Sequence, residues 1–142
     1  MDKQQAPSFA EGGCLCGGVR YRVSGLPTSS SVCHCRSCRL ASGAPAVGWV
    51  VFDAKNFQLL QGHPAARHSS PPVVRSFCPR CGTPISYRHD SDPSVVELTT
   101  ATLDHPELFP PTHEIWHEHK LTWMPVNSGI PHHRHSSSEP AI

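Results

Sequence analysis

Apolar and polar positions along the chain alternate in short runs, broken repeatedly by Gly and Pro, and rarely recur with a helical period. Val19-Arg20-Tyr21-Arg22-Val23 sets apolar side chains on one face and arginines on the other, the pattern of a half-buried strand. Ala46 to Phe52 is rich in Val and aromatics, and Phe57 to Gln61 follows after a turn near Asp53 to Asn56. Val73 to Phe77, Ile85 to Arg88 and Val95 to Thr100 complete six strand candidates, and Ile115-Trp116 and Leu121 to Val126 could add one or two more. Helical signal is confined to one short turn at Ser37 to Ser42 and another at Pro106 to Phe109. Gly62 to Pro72, with two Ser and three Pro, reads as a mobile loop. The predicted class is mainly β, built of short antiparallel strands with few helical turns. Strands this short hold a sheet poorly alone, so a staple is expected.

The ends lack folding signal, which divides the chain into a flexible tail over 1–10, one domain over 11–128 and a flexible His/Ser/Pro-bearing tail over 129–142. The last segment carries the cluster His132-His133-Arg134-His135, read as solvated more readily than as a metal site. At 142 residues one core is possible, but 37% hydrophobic content and 15 Pro keep it thin. The formal net charge of +1 creates no field for nucleic acid or a membrane surface. No stretch approaches the ~18 apolar residues of a membrane span. Residues Met1 to Pro7 lack the apolar region of a secretory signal. The expected compartment is the reducing cytoplasm, where thiols stay free or bind metal. Seven cysteines cannot all pair with one another as disulfides.

Those cysteines fall in three clusters: Cys14-Leu15-Cys16-Gly17-Gly18, Cys33-His34-Cys35-Arg36-Ser37-Cys38 and Cys78-Pro79-Arg80-Cys81-Gly82. The last has the form of a zinc knuckle, and the glycine permits the backbone turn that points amides at sulfur. Cys14/Cys16 has the same trailing glycine. Two knuckles make a closed four-thiolate site whose halves lie more than sixty residues apart, a structural zinc. The middle cluster is a tripod of Cys33, Cys35 and Cys38 with no fourth cysteine left for it. Three protein ligands leave zinc one position for water or substrate, and three thiolates suit a thiol partner. A rival pairing, Cys35/Cys38 with Cys78/Cys81 in a zinc ribbon, stays open, although Arg39 and not glycine follows Cys38. A redox CxxC lacks its βαβ context.

Other candidates are weaker. Arg36 and Arg39 flank the tripod and could receive a substrate carboxylate. His34 reads as orienting the loop, or as exposed, in preference to serving as a ligand. His113, His117 and His119 could line the open site but read first as surface residues. Asp104 or Glu107 could act as a base, with capping of the turn at Pro106 as the plainer role for Asp104. Trp49, Trp116 and Trp123 read as packing residues.

Taken in order, CLCGGVRY, CHCRSCRLASGAP, FCPRCGTPISY and TLDHPELFPPTHEIWHEHKLTW resemble the glutathione-dependent formaldehyde-activating enzyme family, which includes centromere protein V. The resemblance runs from about Gly12 to Trp123. It implies a zinc-stapled β-tent with two Zn2+ per chain: Cys14, Cys16, Cys78 and Cys81 at the structural site, and Cys33, Cys35 and Cys38 at the open, catalytic one. It implies condensation of glutathione with formaldehyde to S-hydroxymethylglutathione and the reverse cleavage, a carbon–sulfur lyase activity. Alternatives on the same scaffold are another thiol or electrophile, or a non-catalytic glutathione carrier or interaction module. The chain departs from the family where Glu114 precedes Ile115-Trp116, a position at which many members carry His.

Overall fold

A computed structural model describes residues 8–142. Ten strands form two sheets. The smaller sheet orders β1 (Phe9–Gly13), β2 (Arg20–Ser24) and β5 (Phe57–Gln61) as β1-β2-β5. The larger contains β3 (Ser29–Cys33), β4 (Val47–Asp53), β6 (Ala65–Ser70), β7 (Val73–Phe77), β8 (Pro84–His89), β9 (Asp92–Thr99) and β10 (His113–Ile115), in the order β10-β3-β4-β9-β8-β7-β6. The class is mainly β, as expected. All pairings are antiparallel except β10 on β3, which is parallel.

The alternation predicted for 19–23 is realised. Tyr21 and Val23 are fully buried while Arg20 and Arg22 stay half-exposed. They join Val50, Phe52, Ile85, Val96, Leu98 and Leu103 in the main core between the sheets. Full burial of such a side chain contributes roughly 1.5–3 kcal/mol. The Tyr21 hydroxyl is satisfied at 2.8 Å from Thr102 Oγ1. A smaller cluster gathers Cys33, Cys38, Val47 and Trp49, with Tyr87, Ile115 and Trp116 against it.

Several elements differ from the sequence reading. The segment read as a mobile loop contains β6, an edge strand exposed along nearly its whole length and paired to β7. With neither face buried, it has no apolar alternation to betray it. Leu121 to Val126 forms turns instead of a strand, and Trp123 is exposed there. β3 reads Ser-Ser-Ser-Val-Cys, yet Ser30 and Ser31 are buried, and Ser30 Oγ donates to the carbonyl of Phe109. The proposed N-terminal tail lies outside the described residues up to position 7, and β1 begins at Phe9. The segment assigned to a C-terminal tail runs beside β10. Glu114 N donates to Pro131 O, His133 N to Glu114 O, and Trp116 N to His135 O. It covers an edge that β10 would otherwise leave unpaired. No helix among the described residues is long and apolar enough to cross a membrane.

Candidate metal centres

Two of the cysteine clusters occupy β-hairpin loops, and the third spans the end of β3 and the start of the helix that follows it. Cys14 and Cys16 join β1 to β2, Cys78 and Cys81 join β7 to β8, and Cys33, Cys35 and Cys38 lie on the connection from β3 to β4. The fold brings the first two loops together, and the Sγ atoms of Cys14, Cys16, Cys78 and Cys81 all lie within 4.8 Å of one another. Cys14 Sγ is 3.5 Å from Cys16 Sγ, which is 3.8 Å from Cys78 Sγ. These separations match the ~3.8 Å edge of a tetrahedron with zinc–sulfur bonds near 2.3 Å. They far exceed the ~2.05 Å of a disulfide, and all seven cysteines are free. The zinc-ribbon pairing of Cys35/Cys38 with Cys78/Cys81 is not the arrangement found.

Backbone geometry explains the knuckles. Gly17 and Gly82 take φ of 76° and 83°, a left-handed turn that a side chain would strain. Val19 N then donates to Cys14 Sγ at 3.2 Å and Cys81 N to Cys78 Sγ at 3.5 Å. Hydrogen bonds from the Thr83 hydroxyl and backbone pull the Cys81 thiol down to about 5, which favours the ligating thiolate. Cys14 and Cys78 are part of the main core, while Cys16 is exposed and Cys81 half-buried, so this site is anchored in the core and open to solvent at its outer edge.

The second group contains Cys33, Cys35 and Cys38 alone, again with Sγ atoms within 4.8 Å. Cys35 caps the helix α1 (Arg36–Ser42), its sulfur accepting from Cys38 N at 3.2 Å. Donation from the Cys33 and Cys38 thiols pulls Cys35 down to about 2, while its contact with the other two pushes Cys33 up. That ordering makes Cys35 the thiol of the three that most favours the thiolate. Both donor sets fit soft, thiolate-binding metal ions: four ligands close one site and three leave the other open.

A cavity of about 370 Å³ opens beside Cys38. Trp49, Phe77 and Pro84 give it apolar walls, and Gly82 of the closed site's knuckle forms part of its rim. Its cations are Arg67 and Arg75. Arg75 directs Nη1 and Nη2 at Cys38 Sγ from 3.8 and 3.7 Å, is held through Nε by Ser69 Oγ at 3.0 Å, and lies 5.1 Å over the Tyr87 ring. The flanking arginines singled out in the sequence sit elsewhere. Arg36 is exposed on α1, and Arg39 has its Nε buried without a partner; neither lines the cavity. No local signal marks Arg75, which stands 37 residues from Cys38 in sequence and reaches it only through the fold.

The other candidates also separate from the cavity. Asp104 forms a two-pronged ion pair with Arg20 at 2.9 and 2.6 Å, whose hydrogen bonds hold its carboxyl below the usual range. His105 precedes the turn at Pro106–Leu108, so Asp104 does not cap it. Glu107 is exposed. His113 and His117 pack toward the C-terminal segment, and burial lowers both imidazoles. His119 stacks edge-on with Trp116. His34 is buried, and its Nε2 lies 2.6 Å from Glu114 Oε1.

Comparison with known proteins places the chain in a family and a fold. A family model described as glutathione-dependent formaldehyde-activating enzyme matches residues 9–119. A Halomonas elongata protein named "Putative glutathione-dependent formaldehyde-activating enzyme" is 28% identical over 130 residues, covering 83% of this chain and 81% of its own length. The crystal structure of a Rhodobacter sphaeroides protein superposes with a TM-score of 0.59 at 21% identity. It covers 71% of this chain and 96% of its own, a likeness of fold.

Proposed function

The chain belongs to the glutathione-dependent formaldehyde-activating enzyme family, and on that premise we propose that it condenses glutathione with formaldehyde to S-hydroxymethylglutathione and cleaves the same adduct, as a carbon–sulfur lyase. The observation that carries this reading is the three-thiolate tripod, which has no fourth protein ligand among the described residues, beside a cavity that presents two arginines. Cys14, Cys16, Cys78 and Cys81 would hold one zinc ion, and Cys33, Cys35 and Cys38 a second. Bound at the tripod, zinc supplies a Lewis-acidic position that favours a thiolate over a thiol near neutral pH.

The remaining work falls to side chains of this protein. Glutathione carries carboxylates at both ends and a thiol between them. Arg75 and Arg67 offer forked donors to a carboxylate. Because Arg75 already touches Cys38, a carboxylate held there sets the thiol close to the tripod. Trp49, Phe77 and Pro84 exclude water from one side. The glutathione sulfur attacks the carbonyl carbon, the carbon–sulfur bond forms as the carbonyl π pair moves to oxygen, and that oxygen takes a proton from water. The thiol proton leaves to solvent, so atoms and charge balance. Among the described residues none lining the cavity is a carboxylate or a histidine. Ser76, Ser86 and Thr99 supply hydroxyls there, and rate enhancement rests on holding the reactants together. The reducing cytoplasm, where free thiols and glutathione coexist, is the compartment this reading expects.

That absence of an acid–base group also favours a second reading, a carrier that binds glutathione or its adduct without accelerating its formation. Exchange NMR of formaldehyde and glutathione, with and without the zinc-loaded protein, separates the two. The lyase reading expects exchange above the uncatalysed rate, lost in Cys35→Ser. Glutathione binding without acceleration supports the carrier, and neither binding nor acceleration contradicts both.

A further inference from the structure

A chain of polar side chains, buried at His34 and Glu114 and half-buried at His132, links the tripod to residues 131–135. His34 stands between the ligands Cys33 and Cys35 and is 1% exposed. Its Nε2 meets Glu114 Oε1 at 2.6 Å, and the other carboxylate oxygen, Oε2, lies 2.9 Å from His132 Nε2. Glu114 is itself 4% exposed. Neither ring nitrogen of His34 is part of the three-sulfur donor group. His34 hydrogen-bonds Oε1, whereas Oε2 has His132 at ion-pair distance without hydrogen-bond geometry, so a buried carboxylate is held on that side by charge proximity alone. His117 packs on His132, with ring centroids 4.8 Å apart, and closes the outer side.

The backbone follows the same path. His34 N donates to Ile115 O, Glu114 N to Pro131 O, and His133 N to Glu114 O. Ile142 N then donates to His132 O, folding the last residue back over the contact. β10 is thus held on one side by β3, which delivers Cys33, and on the other by residues 131–135. Glu114 is the point where both sides meet.

We propose that Glu114 and His132 are positioning residues for the open metal site: the C-terminal segment fixes Glu114 through His132, and Glu114 fixes His34 and with it the spacing of Cys33 and Cys35. This rests on the tripod being a metal site. A tripod drawn from six consecutive residues has more freedom to lose on binding than one braced by a sheet, so releasing the brace lowers affinity. The four-cysteine site lies in hairpin loops and does not depend on the brace. Glu114 thereby acquires a role matched to a residue in the segment that pairs beside β10.

The test counts metal ions by native mass spectrometry during chelator competition in the full-length protein, its His132→Ala and His132→Gln variants, and Cys35→Ser as a background with only the closed site. His132→Gln restores an amide donor close to the place of Nε2. The wild type is expected to hold two ions, and His132→Ala to release one at roughly 10-fold lower chelator strength, the low end of the loss seen for a group bonded directly to a ligand, because His132 acts through Glu114 and His34. His132→Gln should recover most of the loss, and His132→Ala should leave the ion that persists in Cys35→Ser unchanged. Equal retention in His132→Ala and wild type, equal loss from both sites, or no difference between Ala and Gln overturns the proposal. One ion in the wild type overturns the metal reading of the tripod on which it stands.

Discussion

The two cysteine centres use one kind of side chain for two purposes, and their placement in the topology separates them. The four-cysteine centre takes its ligands from two hairpin loops on different sheets, and Cys14 and Cys78 belong to the main core. Its sulfurs are met by backbone amides of Val19 and Cys81 and by the Thr83 hydroxyl. The three-cysteine centre takes all its ligands from one short segment and packs against a small cluster of its own. Its outer support comes from charged or titratable side chains, Arg75 on one flank and the His34–Glu114 pair on the other. A metal ion held between distant strands would serve stability. One confined to a single segment could lose or exchange a ligand without parting the sheets.

The largest expected effect breaks that contrast at its structural end. Cys78→Ser should prevent folding or leave an unstable chain, because a structural zinc contributes on the order of 10 kcal/mol in small domains, comparable with the whole stability of a typical domain. Cys35→Ser should keep the strand content by circular dichroism and a thermal midpoint close to wild type, while activity disappears. Similar midpoints for the two variants would erase the distinction.

A smaller effect sharpens the assignment of the cavity. Arg75→Met keeps most of the side-chain bulk against Tyr87 but removes the fork. We expect the glutathione KM to rise about 10- to 100-fold, the weight of a charge-assisted hydrogen bond, with two metal ions still bound. The same measurement on Arg36→Met should show little change, and a reversed order would return the substrate to the helix flank.

The smallest effect concerns the sheet beneath the cavity. Glu97 on β9 lies opposite Tyr87, which lies opposite Arg75. Burial pushes the Glu97 carboxyl from 4.5 up to about 7. The native state therefore binds the proton more tightly than the unfolded chain. Its contribution is full below about pH 4.5 and is lost as pH rises through about 7. Urea unfolding should show stability declining by about 1 kcal/mol from pH 6 to 8, a slope that Glu97→Gln flattens. An unchanged slope in the variant would remove Glu97 as its source.

Much of the candidate site was legible in the sequence because ligand spacing is local: two cysteines with a following glycine announce a knuckle before any fold is known. β2 announces itself by alternation in the same way, and β4 by its run of Val and aromatic residues. What escaped depends on contacts between distant segments. β3 buries serines because Phe109 and Thr112 supply partners for Ser30, which no periodicity records. Arg75 belongs to the cavity through the pairing of β7 with β8, whereas Arg36 and Arg39 are neighbours of the tripod in sequence but do not line that cavity. The histidines after residue 130 look solvated in sequence, yet His132 meets a buried carboxylate on a strand whose own residues give no hint of it.

Cadmium NMR of the metal-loaded protein titrated with glutathione tests the central claim most directly. Two resonances are predicted, both in the thiolate region; one should stay fixed throughout, and the other should shift as a fourth sulfur arrives and be missing in Cys35→Ser. A single resonance, or two that both ignore glutathione, would contradict the division into a closed and an open centre.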